Sequence, residues 1–238
     1  MSDKGASQLF GLPDELFTPR RPGSNVITKR DVRAITLAHL GLHQHSILWD
    51  IGSGTGSVAI EAAHLASAGH VYAIECDAEA LAAIDANCRR LHAPNVTIVA
   101  GRAPQVLHDL PDPDAVFIGG SGGALTAILD CSILRRIERG RERENPVLLP
   151  TPPDMGNSNG TMLNMSSGFA PGGRLVLNLA TLEHLSEAVN YLRQAAWVWE
   201  CTMVNIAHTQ NILDMTRFAA MNPVFILTAY APTGKQEE

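Results

Sequence analysis

The chain has 238 residues, 45% of them hydrophobic and only 5% aromatic, which is enough apolar material for a sizeable core and favours one domain over two. A formal net charge of −6 excludes the broad basic field that a general nucleic-acid or membrane-surface binder needs. An anionic substrate would therefore have to meet a local group of cations.

Residues 1–10 read as a flexible tail and 11–238 as the single domain. From Gly11 to Asn25 the chain turns irregular, with Pro13, Pro19, Pro22 and Gly23 beside Arg20 and Arg21, and such a segment is ordered only if it lies on a folded surface. Thr28 is a good N-cap and Asp31 takes a capping-box-like position. Val32, Ile35, Thr36 and Leu40 follow at helical spacing until Gly41 ends the helix.

Strands and helices then alternate. The pattern predicts strands at 47–51, 70–75, 95–100, 114–118 and 174–179, and helices at 57–67, 78–91, 103–109, 123–138 and 182–194. Two last strands, near 198–207 and 222–230, have no helix between them and suggest an antiparallel edge pair. The expected fold is α/β and Rossmann-like, a seven-stranded, mostly parallel sheet with its ligand at the carboxyl ends of the first strands. Residues 139–168, rich in Pro, Asn, Ser and Gly, interrupt the repeat as a long insertion, read as either a lid or a disordered loop.

The first strand runs into Asp50-Ile-Gly-Ser-Gly-Thr-Gly56, a glycine turn opening a helix. Glycines there let the backbone bend sharply and approach a ligand, while the helix presents unpaired N–H groups. A dinucleotide fingerprint would read G-x-G-x-x-G, whereas here the third glycine comes one residue early and Asp50 stands before the first. A carboxylate at that strand end repels a pyrophosphate and suits a cation, such as the sulfonium of S-adenosylmethionine. Glu75 ends the second strand about twenty residues after the first glycine, where an acid binding ribose hydroxyls is expected.

The four cysteines, Cys76, Cys88, Cys131 and Cys201, are scattered without a C-x-x-C, as expected of reduced thiols. The first residues carry neither a signal-peptide nor a transit-peptide pattern and no run is long enough to span a membrane, so a cytoplasmic protein is expected. His39, His43 and His45 lie close together but lack fixed ligand spacing or a carboxylate partner, and no metal site is assigned to them. Met203, Met215 and Met221 read as core or interface filler.

Six stretches resemble one family, the precorrin methyltransferases of the cobalamin pathway that methylate C15 and decarboxylate the C12 acetate. They are Gly11-Leu-Pro-Asp-Glu-Leu-Phe17, Ile27-Thr-Lys-Arg-Asp-Val-Arg33, Asp50 to Gly56, Tyr72-Ala-Ile-Glu75, Val116-Phe-Ile-Gly-Gly-Ser-Gly-Gly123 and Asn222-Pro-Val224. The resemblance implies a class I S-adenosylmethionine-dependent methyltransferase. It also implies cofactor contacts at Thr28, at Asp50 with the loop Gly52, Ser53, Gly54, Thr55 and Gly56, at Glu75 and at Ala103. Such proteins tend to assemble as homo-oligomers, often tetramers, and occur alone or fused to a C5-methyltransferase.

This chain departs from the family in two places, the insertion and Gly101-Arg-Ala-Pro104, where relatives usually carry an acid in place of Arg102.

Methyl transfer to carbon relies on alignment, so no catalytic dyad need appear. Gly119, Gly120, Ser121, Gly122 and Gly123 remove side-chain bulk where a wide, planar tetrapyrrole would approach, with Ser121 as the one candidate catalytic side chain. A precorrin carries many carboxylates, for which Arg20, Arg21, Lys29 and Arg217 are the candidate partners. The competing readings are a methyltransferase acting on RNA or another small molecule, and an inactive module that keeps the cofactor fold.

Overall fold

The computed structural model describes residues 8–21, 23, 27–129 and 173–230. The apolar runs form strands β1 (Ile47–Ile51), β2 (His70–Glu75), β3 (Val96–Ala100), β4 (Ala115–Ile118) and β5 (Arg174–Leu179). Between or beside them lie helices α1 (Arg30–Leu40), α2 (Ser57–Leu65), α3 (Ala78–Arg90), α4 (Leu125–Ile128) and α5 (Leu182–Gln194). β6 (Val198–Val204), β7 (Ala207–Ile212), β8 (Met215–Ala220) and β9 (Val224–Tyr230) complete the described chain. Seven strands form one sheet in the order β3-β2-β1-β4-β5-β9-β6, with β9 antiparallel to both its neighbours and all other pairings parallel.

Both faces of this sheet are covered, which is why β1 and β4 read as almost unbroken apolar runs. Alternate side chains divide between two core layers. Leu48, Phe117 and Val176 pack with Leu40, Ile60 and Ile84 under α1, α2 and α3, while Trp49, Val116 and Leu175 pack with Ile128 and Leu192 under α4 and α5. Trp49 is fully buried and its indole donates to the Pro111 carbonyl at 3.1 Å, so its one polar atom is satisfied.

The proline-rich segment after Gly11 is held down by a buried ion pair. Arg33 and Glu61 have no exposed side-chain surface and meet at 2.7 Å, and the Glu61 carboxylate also accepts from Gly11 N (2.6 Å) and Leu12 N (3.0 Å). The Arg33 guanidinium donates further to Asp14 and to the carbonyls of Leu12 and Thr28, and it lies 4.8 Å from the Phe17 ring centroid. Of the expected tail, residues 1–7 lie outside the described chain, while Gln8 donates to the Phe10 and Gly11 carbonyls.

Four expectations are corrected. Lys29, not Thr28, is the N-cap of α1, because the Thr28 carbonyl is occupied by Arg33; Asp31 caps nothing and pairs instead with His208 at 2.9 Å. The helix expected at 103–109 is a single 3-10 turn, Gln105–Leu107, since so short a stretch cannot repay helix nucleation. The helix expected at 123–138 begins at Leu125, and its continuation beyond residue 129 lies outside the described residues, as does the insertion at 139–168.

The fourth correction is the largest. The penultimate strand stops at Val204, and residues 207–220 form a separate two-stranded hairpin, β7 with β8, that the sequence reading did not assign. Its strands are exposed almost throughout, so neither shows the one-sided apolar alternation by which a strand is recognised. Among the described residues no helix is long and apolar enough to cross a membrane, and Cys76, Cys88 and Cys201 are free thiols.

Candidate functional site

The strand order reverses between β1 and β4, because β1 continues to β2 on one side and β4 to β5 on the other. In an open α/β sheet the loops leaving the carboxyl ends of such a strand pair diverge and frame a crevice. Here the two loops are the two glycine runs. Gly52 N and Ser53 N both donate to the Ile74 carbonyl, and Gly119 N donates to the Ile51 carbonyl at 3.0 Å. The runs touch: Gly52 has φ +73°, and a Cβ on it would stand 2.3 Å from the Gly120 carbonyl oxygen. Only glycine permits that backbone approach.

A cleft of about 550 Å³ opens beside this contact. Its walls include Thr28 and Lys29 from the segment before α1, Gly52 to Thr55 from the first loop, Ser57 and Val58 from α2, and Gly119 from the second loop. Phe117, Asn178, Met221 and Asn222 close the far side. Gly56, at φ +76°, is the N-cap of α2 and brings no side-chain cap, so the first N–H groups of that helix are directed to the loop without competition from a side chain.

Glu75 is fixed by backbone donors. One carboxylate oxygen accepts from Gly54 N at 3.0 Å, and the other from Cys76 N and Asp77 N at 2.7 and 3.0 Å. The oxygen on Gly54 keeps acceptor capacity, since a carboxylate oxygen can take two donors.

Asp50 lies beneath the loop rather than in the cleft wall. It is fully buried; Ser53 Oγ donates to one oxygen at 2.7 Å, and the other oxygen has no hydrogen-bond partner. Burial pushes its carboxyl up to about 7, the Ser53 hydroxyl draws it back and the nearby Glu75 charge adds to the rise. Thr55, in the cleft wall and 3% exposed, likewise has a buried hydroxyl without a partner.

Other candidate residues are dispersed. Ala103 is buried in the core layer with Trp49 and Ile74, so its side chain faces away from the cleft. Gly122 and Gly123 have φ of +55° and +82°, and Ala124 N donates to the Ser121 carbonyl, so this end of the run makes the turn into α4. Gly120 has open space where a Cβ would stand.

Of the four proposed cations, Lys29 alone lines the cleft. Arg21 pairs with Glu79 and Asp77, Arg20 sits by Asp77, and Arg217 is on the hairpin, donating to Gln210 at 3.1 Å. The first two are drawn to the acidic start of α3 and the third is carried away by an element the sequence did not reveal.

His39 bonds Thr228, and His43 and His45 are engaged with each other and with Gln44; among the described residues no group of His, Cys, Asp and Glu has metal-site geometry. Met221 lines the cleft, whereas Met203 and Met215 are exposed.

Asn178 and Phe117 were missed. The signal for Asn178 was present, as the one polar residue near the carboxyl end of an otherwise apolar strand; its amide bonds Thr36 on α1. Phe117 gave no such signal, since one face of a buried aromatic looks like core.

The comparisons agree with this geometry. The family described as precorrin methyltransferase domain matches residues 23–150. A protein of Pyrobaculum calidifontis named probable cobalt-precorrin-6B C(15)-methyltransferase (decarboxylating) is 34% identical over 223 residues, 93% of this chain and 96% of that one. The crystal structure of a precorrin-6y C5,15-methyltransferase from Geobacter metallireducens superposes with a TM-score of 0.75 at 35% identity, covering 94% of this chain and 97% of that chain. An S-adenosylmethionine-dependent O-methyltransferase of Thermotoga maritima, only 16% identical, shares the fold with a TM-score of 0.62 over 90% of this chain and 70% of its own. The architecture is that of the class I S-adenosylmethionine-dependent methyltransferases, and the chain belongs to the precorrin methyltransferase family.

Proposed function

We propose that the protein transfers a methyl group from S-adenosylmethionine to C15 of precorrin-6B or its cobalt form and releases the C12 acetate carboxyl as carbon dioxide. The observation that carries this reading is the contact between the two glycine loops at the β1/β4 reversal, beside a cleft with Lys29 in its wall, in a chain of the precorrin methyltransferase family.

The residues present fit the cofactor. Gly54, at φ +60°, has nothing within 4 Å of a Cβ position, and one carboxylate oxygen of Asp50 and the Thr55 hydroxyl lack protein partners. When bound, the cofactor supplies a methyl group on a positively charged sulfur. Glu75 accepts hydrogen bonds from the ribose hydroxyls, the loop from Gly52 to Gly56 lies against the ligand backbone, and Thr28 faces it from across the cleft. Ala103 contributes through its main chain.

Asp50 acts as a buried counter-charge rather than a contact; a cation above the loop favours its ionised form.

On the acceptor side, Gly119 and Gly120 leave room for a planar ring, while Lys29 meets one of its carboxylates. Ser121, Gly122 and Gly123 frame that side, with Ser121 as a hydrogen-bond donor, and Arg20 and Arg217 serve at most as distant charges. The rate comes chiefly from alignment of methyl and carbon. Loss of the carboxyl leaves an electron pair that the conjugated ring accepts, so no dedicated base is required. Cobalt, where present, arrives within the substrate.

We further propose that the protein is cytoplasmic and works as a homo-oligomer, a tetramer in the family's manner, functionally paired with a C5-methyltransferase. The hairpin supports assembly: Leu213, Phe218 and Met215 are 94%, 73% and 66% exposed on a two-stranded ribbon, and such a ribbon is marginal in water without a covering surface. The acidic net charge weighs against an RNA substrate.

Incubation with cofactor and either precorrin-6B or its cobalt form should add one methyl and remove one carbon dioxide by mass. No mass change with either form overturns the reading. Gly120→Val separates the two halves of the site: with open space at its Cβ position, the variant should fold and bind S-adenosylhomocysteine normally while losing methyl transfer.

A further inference from the structure

Most arginines of the described chain are already engaged. Arg33 is buried against Glu61, Arg21 pairs with Glu79, Arg89 with Asp85, and Arg193 lies over Trp199. Among the described residues Arg30 and Arg102 are exposed without such a partner, and of the two Arg102 stands by the second glycine run.

Its position is set by the turn after β3. Gly101 N donates to the Glu75 carbonyl at 2.8 Å, which holds this turn against the end of β2, and Ala103 is anchored in the core. From that fixed base the side chain reaches the loop after β4, with Nη1 3.6 Å from the point where a Cβ on Gly122 would stand. Since β2 and β1 lie between β3 and β4 in the sheet, this approach brings the loops after β3 and β4 together across the carboxyl ends of two intervening strands. A larger residue at 122 would meet the guanidinium.

We propose that Arg102 is a specificity-determining residue that binds a carboxylate of the acceptor at the rim formed by Gly119 to Gly123. This inference rests on the polycarboxylate acceptor proposed above. A guanidinium offers donors only, in a planar fork that matches a carboxylate in two parallel hydrogen bonds. The amino group of adenine is itself a donor, so it is no partner for Arg102. Lys29 stands in the cleft wall and Arg102 outside it, by Gly122, so an acidic protein offers the acceptor two separated cations.

The test uses the full chain and two probes in parallel. Uroporphyrin, a tetrapyrrole bearing eight carboxylates, and its fully esterified form are titrated by fluorescence, and S-adenosylhomocysteine by calorimetry, for the wild type, Arg102→Ala and Arg102→Lys. The expected result is uroporphyrin binding weakened about tenfold in Arg102→Ala and less in Arg102→Lys, with no effect of either change on the ester and cofactor-product binding held within about twofold. Weakened S-adenosylhomocysteine binding with unchanged uroporphyrin binding would make Arg102 an adenine contact and overturn the proposal. Unchanged binding of both probes, or no uroporphyrin binding by the wild type, overturns it as well. Charge-dependent uroporphyrin binding that needs Arg102, in a protein that leaves precorrin-6B unaltered, upholds the anchor and refutes the proposed reaction instead.

Discussion

The first glycine loop and the β7–β8 hairpin are stabilised in opposite ways. Around the loop the backbone is held from within the fold: Glu75 takes three backbone donors, Gly52 and Ser53 share the Ile74 carbonyl, and Gly52 packs on Gly120. The hairpin has its own ladder and a His208–Asp31 contact to α1 at 2.9 Å, but leaves Leu213, Met215 and Phe218 in solvent. A site that must hold a small ligand in one pose needs backbone held by its own chain. The proposed assembly would cover the hairpin from outside.

The sharpest way to break this contrast is to loosen the site from within. Replacing Arg33 with Met strands the Glu61 carboxylate without exposed surface, and the expected loss is about 3–5 kcal/mol in denaturant unfolding. Because Arg33 also holds the Thr28 carbonyl, S-adenosylhomocysteine affinity should fall even at temperatures where the variant remains folded.

Asp50 gives the next effect. Its carboxyl, at about 7 in the folded chain against 3.8 in the ordinary case, keeps its proton in the native state over a range where the unfolded chain has lost it. Stability from this group is therefore lost as pH rises from about 4 to 7, by on the order of 4 kcal/mol. Asp50→Asn should remove that slope from a plot of unfolding free energy against pH; an unaltered slope would mean that the carboxylate is not the source.

Smaller still is the loss of one ligand acceptor. Glu75→Ala should weaken S-adenosylhomocysteine binding by about 1–3 kcal/mol in calorimetry, and unchanged affinity would refute the proposed ribose contact.

On the hairpin, the replacement Leu213→Ser should leave unfolding free energy at dilute protein within about 0.5 kcal/mol, as for other surface changes. Combined with Phe218→Ser it should lower the oligomeric mass seen by light scattering. A monomeric wild type would remove the contrast altogether.

Much of the fold was legible because local chemistry and global architecture agreed. Asp50 to Gly56 joins a strand to a helix as its glycines require, and α1 to α3 follow their apolar spacing. Thr28 lines the cleft but is not the cap expected of it, since the competitor for its carbonyl, Arg33, acts through a buried pair with Glu61 that lies 28 residues further along. Arg20, Arg21 and Arg217 illustrate the same limit. A cation's sequence position says that it is charged, while its usefulness depends on whether an acid elsewhere in the fold has already claimed it, as for Arg21, or an unforeseen element carries it off, as for Arg217.

By itself the sequence determined the alternating α/β plan, the glycine turn with its acid at Glu75, and the resemblance that named the family, all of which are written in short contiguous stretches. Tertiary structure alone decided that the two glycine runs touch, that Asp50 is buried rather than exposed to the ligand, that Asn178 and Phe117 join the cleft and that Arg102 reaches Gly122. The reason is physical: backbone conformation is governed by neighbours along the chain, whereas burial, ion pairing and the approach of one loop to another depend on strands brought together across the sheet.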